Sequence, residues 1–209
     1  MKLTLASDLH IEMHKEIPSF TGGGILLLAG DIMMAHALTS LDIPRYKYDK
    51  FFRKISQQFN KIYMIAGNHE AYYGHIETFH DILKEYYQQY NNIHYLNNET
   101  VPLDSDKTSG VLLWGGTLWT DYNNDSFEAM SWASQNMSDH YLIKNGKNIF
   151  SPQDALKLHN EAKNELESSL ACHKDNKFIV MTHHVPFYSA LNIAKWGENN
   201  LLNYAFGCT

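Results

Sequence analysis

The sequence predicts an α/β fold, a sheet of short strands covered by helices, and three observations predict it. Four apolar runs, at Leu3–Ala6, Ile25–Ala29, 62–66 and 178–181, are only four or five residues long. Runs of that length suit strands buried on both faces. Stretches with the apolar spacing of helices lie between them. Each run then leads straight into a loop carrying Asp, Asn or His, the position where sites gather in open α/β sheets.

The elements follow in order. After the first two strands, 48–59 places Phe51, Phe52, Ile55 and Phe59 near i, i+4, i+8, the stripe of a helix facing a core. The strand at 62–66 is followed by a second helix over 76–90, with Ile76, Phe79, Leu83, Tyr86, Tyr87 and Tyr90 on one side. The middle changes character. Val101, 111–114 and 117–120 read as short strands joined by Gly and Asn/Asp turns. The polar, aromatic stretch 122–148 reads as a helix over Phe127–Asn136 followed by a loop. A third long helix is expected over 151–172. Ser151 is a natural N-cap, Pro152 suits the first helical position, and Asp154 complements the positive end of the dipole. Its inner face would be Ala155, Leu158, Ala162, Leu166 and Leu170. No repeat, low-complexity segment or linker divides residues 1–209, so one domain is expected.

Bulk composition narrows the functional classes. Hydrophobic residues make up 44% of the 209, a globular composition. Seventeen Lys and Arg against 23 Asp and Glu leave a net charge of −6 with no basic run, so nucleic acid is not favoured as a partner. Cys172 and Cys208 form no CxxC pair, which argues against a thiolate zinc site and fits a reducing compartment. The N-terminal apolar run is too short for a signal-peptide core, and nothing approaches the ~18 apolar residues of a membrane span. The expectation is a soluble, cytoplasmic protein that does not enter a membrane.

Chemistry concentrates where the strands end. Ser7-Asp8-Leu9-His10, Gly30-Asp31, Gly67-Asn68-His69-Glu70 and Thr182-His183-His184 each follow an apolar run. Carboxylates with imidazoles suit divalent first-row metals. Asp8 and His10 are two apart, so at a strand end both could reach one ion. Asp31 has two oxygens and could bridge two ions. Asn68 offers a neutral oxygen. The glycines before Asp31 and Asn68 allow sharp turns and close backbone approach. Singly, each piece is common: Gly-Asp is an ordinary turn, and His183-His184 reads equally as one core and one surface histidine. Four pieces in this order, each after a strand, point to one site.

The strings SDLH, GD, GNHE and THH resemble the ordered motifs of the calcineurin-like metallophosphoesterases, and GNHEAYYGH and TLWTDY resemble a bacterial branch of that family. The resemblance implies a layered sheet sandwich flanked by helices. It implies a metal-dependent phosphoesterase that hydrolyses small phosphomonoesters or phosphodiesters, with two divalent ions (Mn, Fe, Zn, Ni or Co) and a metal-activated water. Carried over by position, Asp8 and His10 resemble ligands of the first metal, Asp31 the carboxylate bridging both, and Asn68 and His183 ligands of the second. His69 resembles the histidine that contacts phosphate and protonates the leaving oxygen, and Asn68 would contact the substrate with it. Glu70 would be supporting, and His184 would orient its loop or touch substrate.

One motif of the family, a Gly-His-x-His string some tens of residues beyond the THH motif, has no counterpart, since no histidine follows His184. The expectation is a domain missing its last strands, with an exposed edge through which two copies could associate. Three readings stand: a piece of a longer enzyme, which the intact earlier motifs favour; a chain that draws missing ligands from a second copy or partner; and a non-catalytic scaffold or metal-binding relative on the same fold. His75, His80, His94, His140, His159 and His173 are assigned to surfaces or helix faces. His14 and His36 are assigned to loops, and Trp114, Trp119 and Trp132 to packing.

Overall fold

The computed structural model describes residues 2–39, 43–104, 110–191, 197 and 200–209. Strands β1 (Leu3–Ala6), β2 (Ile25–Ala29), β3 (Lys61–Ile65) and β4 (Ile93–Tyr95) form one sheet in that order, with every neighbouring pair parallel. Parallel neighbours need a long crossover. Helix α1 (Ile43–Gln58) supplies it between β2 and β3, and α2 (Phe79–Tyr87) between β3 and β4. Next come β5 (Glu99–Pro102) and β6 (Val111–Gly116), paired antiparallel. Helix α3 (Phe127–Asn136) follows, then a small hairpin, β7 (Lys144–Asn145) with β8 (Asn148–Ile149), and helix α4 (Pro152–Cys172). Strand β9 (Lys177–Thr182) then returns parallel to β6, giving a second sheet of order β5-β6-β9.

Side chains alternate across a strand, and in the central strands β2 and β3 of the first sheet both faces are covered. Leu26, Leu28, Ile62 and Met64 pack with Phe51, Phe52 and Ile55 of α1 and Leu83 and Tyr87 of α2. The opposite face, with Ile25, Leu27, Ala29, Tyr63 and Ile65, packs on Leu113 and Met181 of the second sheet and on Leu96. The expected layered sandwich flanked by helices is therefore present. Burying each such Leu or Ile contributes about 1.5–3 kcal/mol. The two cores fix the strands, and the loops at the strand ends inherit that rigidity.

Four expectations are corrected. β1 and β9 are not buried on both faces. Each is hydrogen-bonded to one neighbour among the described residues, and Leu5 of β1 is 68% and Val180 of β9 41% exposed. Residues 117–120 are not a strand. Leu118 and Trp119 take left-handed backbone (φ 69° and 55°), and the hydroxyls of Thr117 and Thr120 donate to the carbonyls of Ala66 and Tyr204 rather than joining a ladder. Helix α2 begins at Phe79 with Thr78 as its N-cap, and Ile76 lies before it, its N–H donating to the Lys144 carbonyl beside β7. His140 and His159, assigned to surfaces or helix faces, are buried in the core: their Nδ1 atoms meet the carbonyls of Phe150 (2.9 Å) and Leu118 (3.1 Å). His159 takes the inner face of α4 with Ala155 and Ala162, while Leu170 points outward.

The N-terminus of α4 forms as its sequence dictates. Ser151 Oγ accepts from Asp154 N–H at 3.2 Å, and the Asp154 carboxylate accepts from Ser151 N–H at 2.8 Å, a reciprocal capping box. Among the described residues, no helix is long and apolar enough to cross a membrane.

Candidate metal centre

The ends of β1, β2, β3 and β9 meet around one cavity of about 550 Å³, and Asp8, His10, Asp31, Asn68, His69, His183 and His184 all line it. Asp8 and His10 both line this cavity, but strand alternation is not what brings them there. Strand β1 ends at Ala6, and both residues lie beyond it in left-handed backbone (φ 55° and 36°), so strand alternation does not align them. Their N–H groups donate instead to the carbonyls of Gly30 and Asp31, each at 3.0 Å, clipping the first loop to the second. Asp31 is left-handed as well (φ 56°). Non-glycine residues pay for such backbone, and they gather where a site demands it.

Asp31 stands at the centre. Its Oδ1 lies 3.4 Å from His183 Nε2 and accepts from His69 N–H at 2.9 Å. Its Oδ2 lies 3.8 Å from His10 Nε2. One carboxylate oxygen thus serves each side of the cavity. Burial pushes the Asp31 carboxyl above the usual carboxylate range, against the pull of His183, His69 and His10. The ligand atoms of Asp8, Asp31 and His183 lie within 4.8 Å of one another, as do those of His10, Glu12 and His69.

The side chains fit a cation in a specific way. His183 Nδ1 bonds to the Ala29 carbonyl at 2.9 Å, so in the neutral ring Nε2 carries a lone pair. That Nε2 is 3.1 Å from Asn68 Oδ1. The Asn68 amide nitrogen is committed elsewhere, to the Tyr72 hydroxyl (3.1 Å) and to Asp139 Oδ1 (2.6 Å). His183 Nε2, Asn68 Oδ1 and Asp31 Oδ1 therefore converge, and with the His183 ring neutral all three are acceptors. Acceptors facing acceptors repel, and a positive ion between them removes the conflict.

Glu70, expected only to support, is the brace of the site. It is fully buried, and its two oxygens take four backbone N–H groups: Asp31 (2.9 Å) and Gly67 (2.7 Å) on Oε2, Ile32 (2.7 Å) and Met33 (3.1 Å) on Oε1. One side chain thereby ties the loop after β2 to the loop after β3. Burial and the Asp31 charge push its carboxyl up to about 7, while the backbone donors of Ile32 and Gly67 pull it down. Gly67 is required by space. A Cβ there would lie 2.2 Å from Asp31 Oδ1 and 2.7 Å from the His183 ring.

Two residues that contact the site escaped the sequence reading. Glu12 Oε1 meets His69 Nε2 at 2.6 Å, and Glu12 Oε2 accepts from the Tyr48 hydroxyl at 2.9 Å. Burial alone would raise Glu12 and lower His69. Their mutual bond and charge outweigh it, so Glu12 is held below, and His69 above, its ordinary value. Asp139 is the second, buried behind Asn68. Glu12 lies only two residues after His10 and could have been flagged by that nearness. Asp139 is 71 positions from its partner, and no local signal marks it. His184 is placed in the cavity wall, stacked on Trp119 with ring centroids 5.4 Å apart. Burial and the neighbouring His183 lower its pKa to about 3, so it is a neutral wall residue.

The family model described as calcineurin-like phosphoesterase matches residues 1–207. A curated relative, an uncharacterized protein of Acanthamoeba polyphaga mimivirus, is 33% identical over 153 residues, covering 67% of this chain and 50% of that protein. The chain thus spans about half the length of that relative. The solved structure of a phosphopantetheinyl hydrolase from Mycobacterium tuberculosis superposes with a TM-score of 0.60, covering 99% of this chain and 75% of the other at 16% identity. At that identity the likeness is one of fold.

Proposed function

Because the chain belongs to the calcineurin-like phosphoesterase family, we propose that it is a metal-dependent phosphoesterase hydrolysing small phosphomonoesters or phosphodiesters with two divalent cations. The observation that carries this reading is the convergence of His183 Nε2, Asn68 Oδ1 and Asp31 Oδ1, with the second oxygen of Asp31 turned toward His10. Asn68 and His183 would hold one cation, Asp8 and His10 the other, and Asp31 both. When bound, the cations would supply positive charge for the phosphoryl oxygens and lower the pKa of an attacking water. A donor set of Asp, Asn and His suits Mn, Fe, Zn, Ni or Co.

The chain's own residues do the rest. Asp31, braced by Glu70 through its backbone N–H, keeps its two oxygens divided between the two halves of the site. His69 carries the proton for the leaving oxygen. With Nε2 bonded to Glu12, its Nδ1 is the ring nitrogen left to donate, and the Glu12 carboxylate favours the charged ring. A general acid so placed typically contributes 10²–10⁴-fold. The cavity wall formed by Met137, Val185, Leu202 and Phe206 is apolar and would receive the organic part of the ester.

The test is hydrolysis of bis-p-nitrophenyl phosphate with and without Mn²⁺, with Asp31→Asn as control. Metal-dependent turnover that the variant loses supports the reading. A folded, Mn²⁺-loaded protein without turnover on this ester or on p-nitrophenyl phosphate would overturn it in favour of a metal-binding, non-catalytic relative.

A further inference from the structure

Asp139 belongs to none of the strand-end motifs, yet it is only 3% exposed and sits directly behind a predicted ligand. It opens the single turn Asp139–Leu142, just after α3. Its Oδ1 accepts from Asn68 Nδ2 at 2.6 Å and from the Tyr72 hydroxyl at 2.8 Å. The Tyr72 hydroxyl oxygen in turn lies 3.1 Å from Asn68 Nδ2. Two oxygen atoms, of Asp139 and of Tyr72, thereby face the Asn68 amide nitrogen.

A side-chain amide has two orientations of nearly the same shape. In the other one, with the His183 ring neutral, the Asn68 NH₂ group would donate to His183 Nε2 across the present 3.1 Å, and the two residues would satisfy each other. That arrangement offers nothing to a cation. It would also bring the amide oxygen against an Asp139 carboxylate oxygen at the 2.6 Å now spanned by a hydrogen bond. Two acceptors that close repel strongly, so the carboxylate selects the orientation. We propose that Asp139 is a positioning residue: it holds the Asn68 side-chain oxygen turned into the cation site and prevents Asn68 and His183 from closing on each other. The inference rests on the metal-dependent reading above. The stretch before Asp139 lines the cavity through Asn136, Met137 and Ser138, so one segment supplies both a wall and the orienting carboxylate. Cation binding and docking of that segment are then coupled in both directions.

The test is calorimetric titration with Mn²⁺ of the wild-type chain, Asp139→Ala, Asp139→Asn, Asn68→Asp, and the double variants of Asn68→Asp with each Asp139 change. Loss of a group that orients a ligand typically weakens metal binding about 10–100-fold. That loss is expected at one of two sites in Asp139→Ala, with the other unchanged. Asp139→Asn, whose side-chain oxygen can still accept from Asn68, is expected to lose less. In the Asn68→Asp background the ligand has no wrong orientation, so changing Asp139 should cost no affinity there. A loss of equal size in both backgrounds would mean a merely structural role and would overturn the inference. Equal Mn²⁺ affinity of wild type and Asp139→Ala would overturn it too, while leaving the phosphoesterase reading intact. A wild-type chain that binds no Mn²⁺ would overturn both. If Asp139→Ala does not fold, the Asp139→Asn pair provides the same comparison without a cavity.

Discussion

Replacing Glu70 by Gln should uncouple the two loops that carry Asp31 and Asn68. The carboxylate accepts four backbone N–H groups, two on each oxygen. An amide has one acceptor oxygen, so two of the four donors would face an NH₂ group instead. Leaving a buried donor unsatisfied costs about 1–3 kcal/mol, so the substitution should cost about 2–6 kcal/mol. That is a large share of the ~5–15 kcal/mol that holds a domain together. For a chain of this size each kcal/mol lowers the melting temperature by about 2–4 °C, which predicts a fall of roughly 5–20 °C. The measurements are thermal and urea unfolding at pH 8, where the carboxyl is ionised, each followed by the fluorescence of the buried Trp114 and Trp119. Glu165→Gln, on the exposed face of α4, serves as control and should stay within about 0.5 kcal/mol. If Glu70→Gln unfolds as the control does, Glu70 is not the brace and the geometry has been misread.

Other outcomes follow from single contacts. Gly67→Ala forces a Cβ to 2.2 Å from Asp31 Oδ1; displacement on the order of 1 Å costs about 10²-fold, so turnover with Mn²⁺ should fall by at least that much, and unchanged kcat would contradict the packing. Burial and Lys84 lower the His80 pKa to about 4, below its ordinary 6.5, so the folded state binds fewer protons than the unfolded state. Its contribution is intact above pH 6.5 and is lost as pH falls toward 4, about 2 kcal/mol by pH 5. Urea midpoints at pH 7.5 and 5 should therefore converge in His80→Gln relative to wild type; identical pH dependence would contradict the assignment. Ser151→Ala removes one half of the α4 capping box and should cost about 1 kcal/mol in the same assay; a neutral result would mean the cap contributes nothing.

How much the sequence reveals depends on how local the cause is. Strands β2 and β3 are legible because both faces are covered, which demands the short, unbroken apolar runs at Ile25–Ala29 and 62–66. Helix α4 is legible because its cap is written in Ser151, Pro152 and Asp154. The exposure of Leu5 and Val180 is not legible, since a strand's own residues do not say whether another layer lies above them. Residues 117–120 look like a strand because Thr, Leu and Trp favour one. Left-handed backbone there is imposed by contacts with residues as distant as Tyr204 and Gly207. The site divides in the same way. Asp8, His10, Asp31, Asn68 and His183 stand out because each follows a strand. Glu12 and Asp139 act through partners 57 and 71 positions away, and only folding brings them there.

The central claim is that five side chains make one centre for two cations, with Asp31 shared. Equilibrium dialysis against Mn²⁺ tests it most directly. The account predicts two ions per wild-type chain, both weakened in Asp31→Asn, and a single ion lost in His183→Ala. One ion or none in the wild type, or an Asp31→Asn chain that binds as the wild type does, would contradict it.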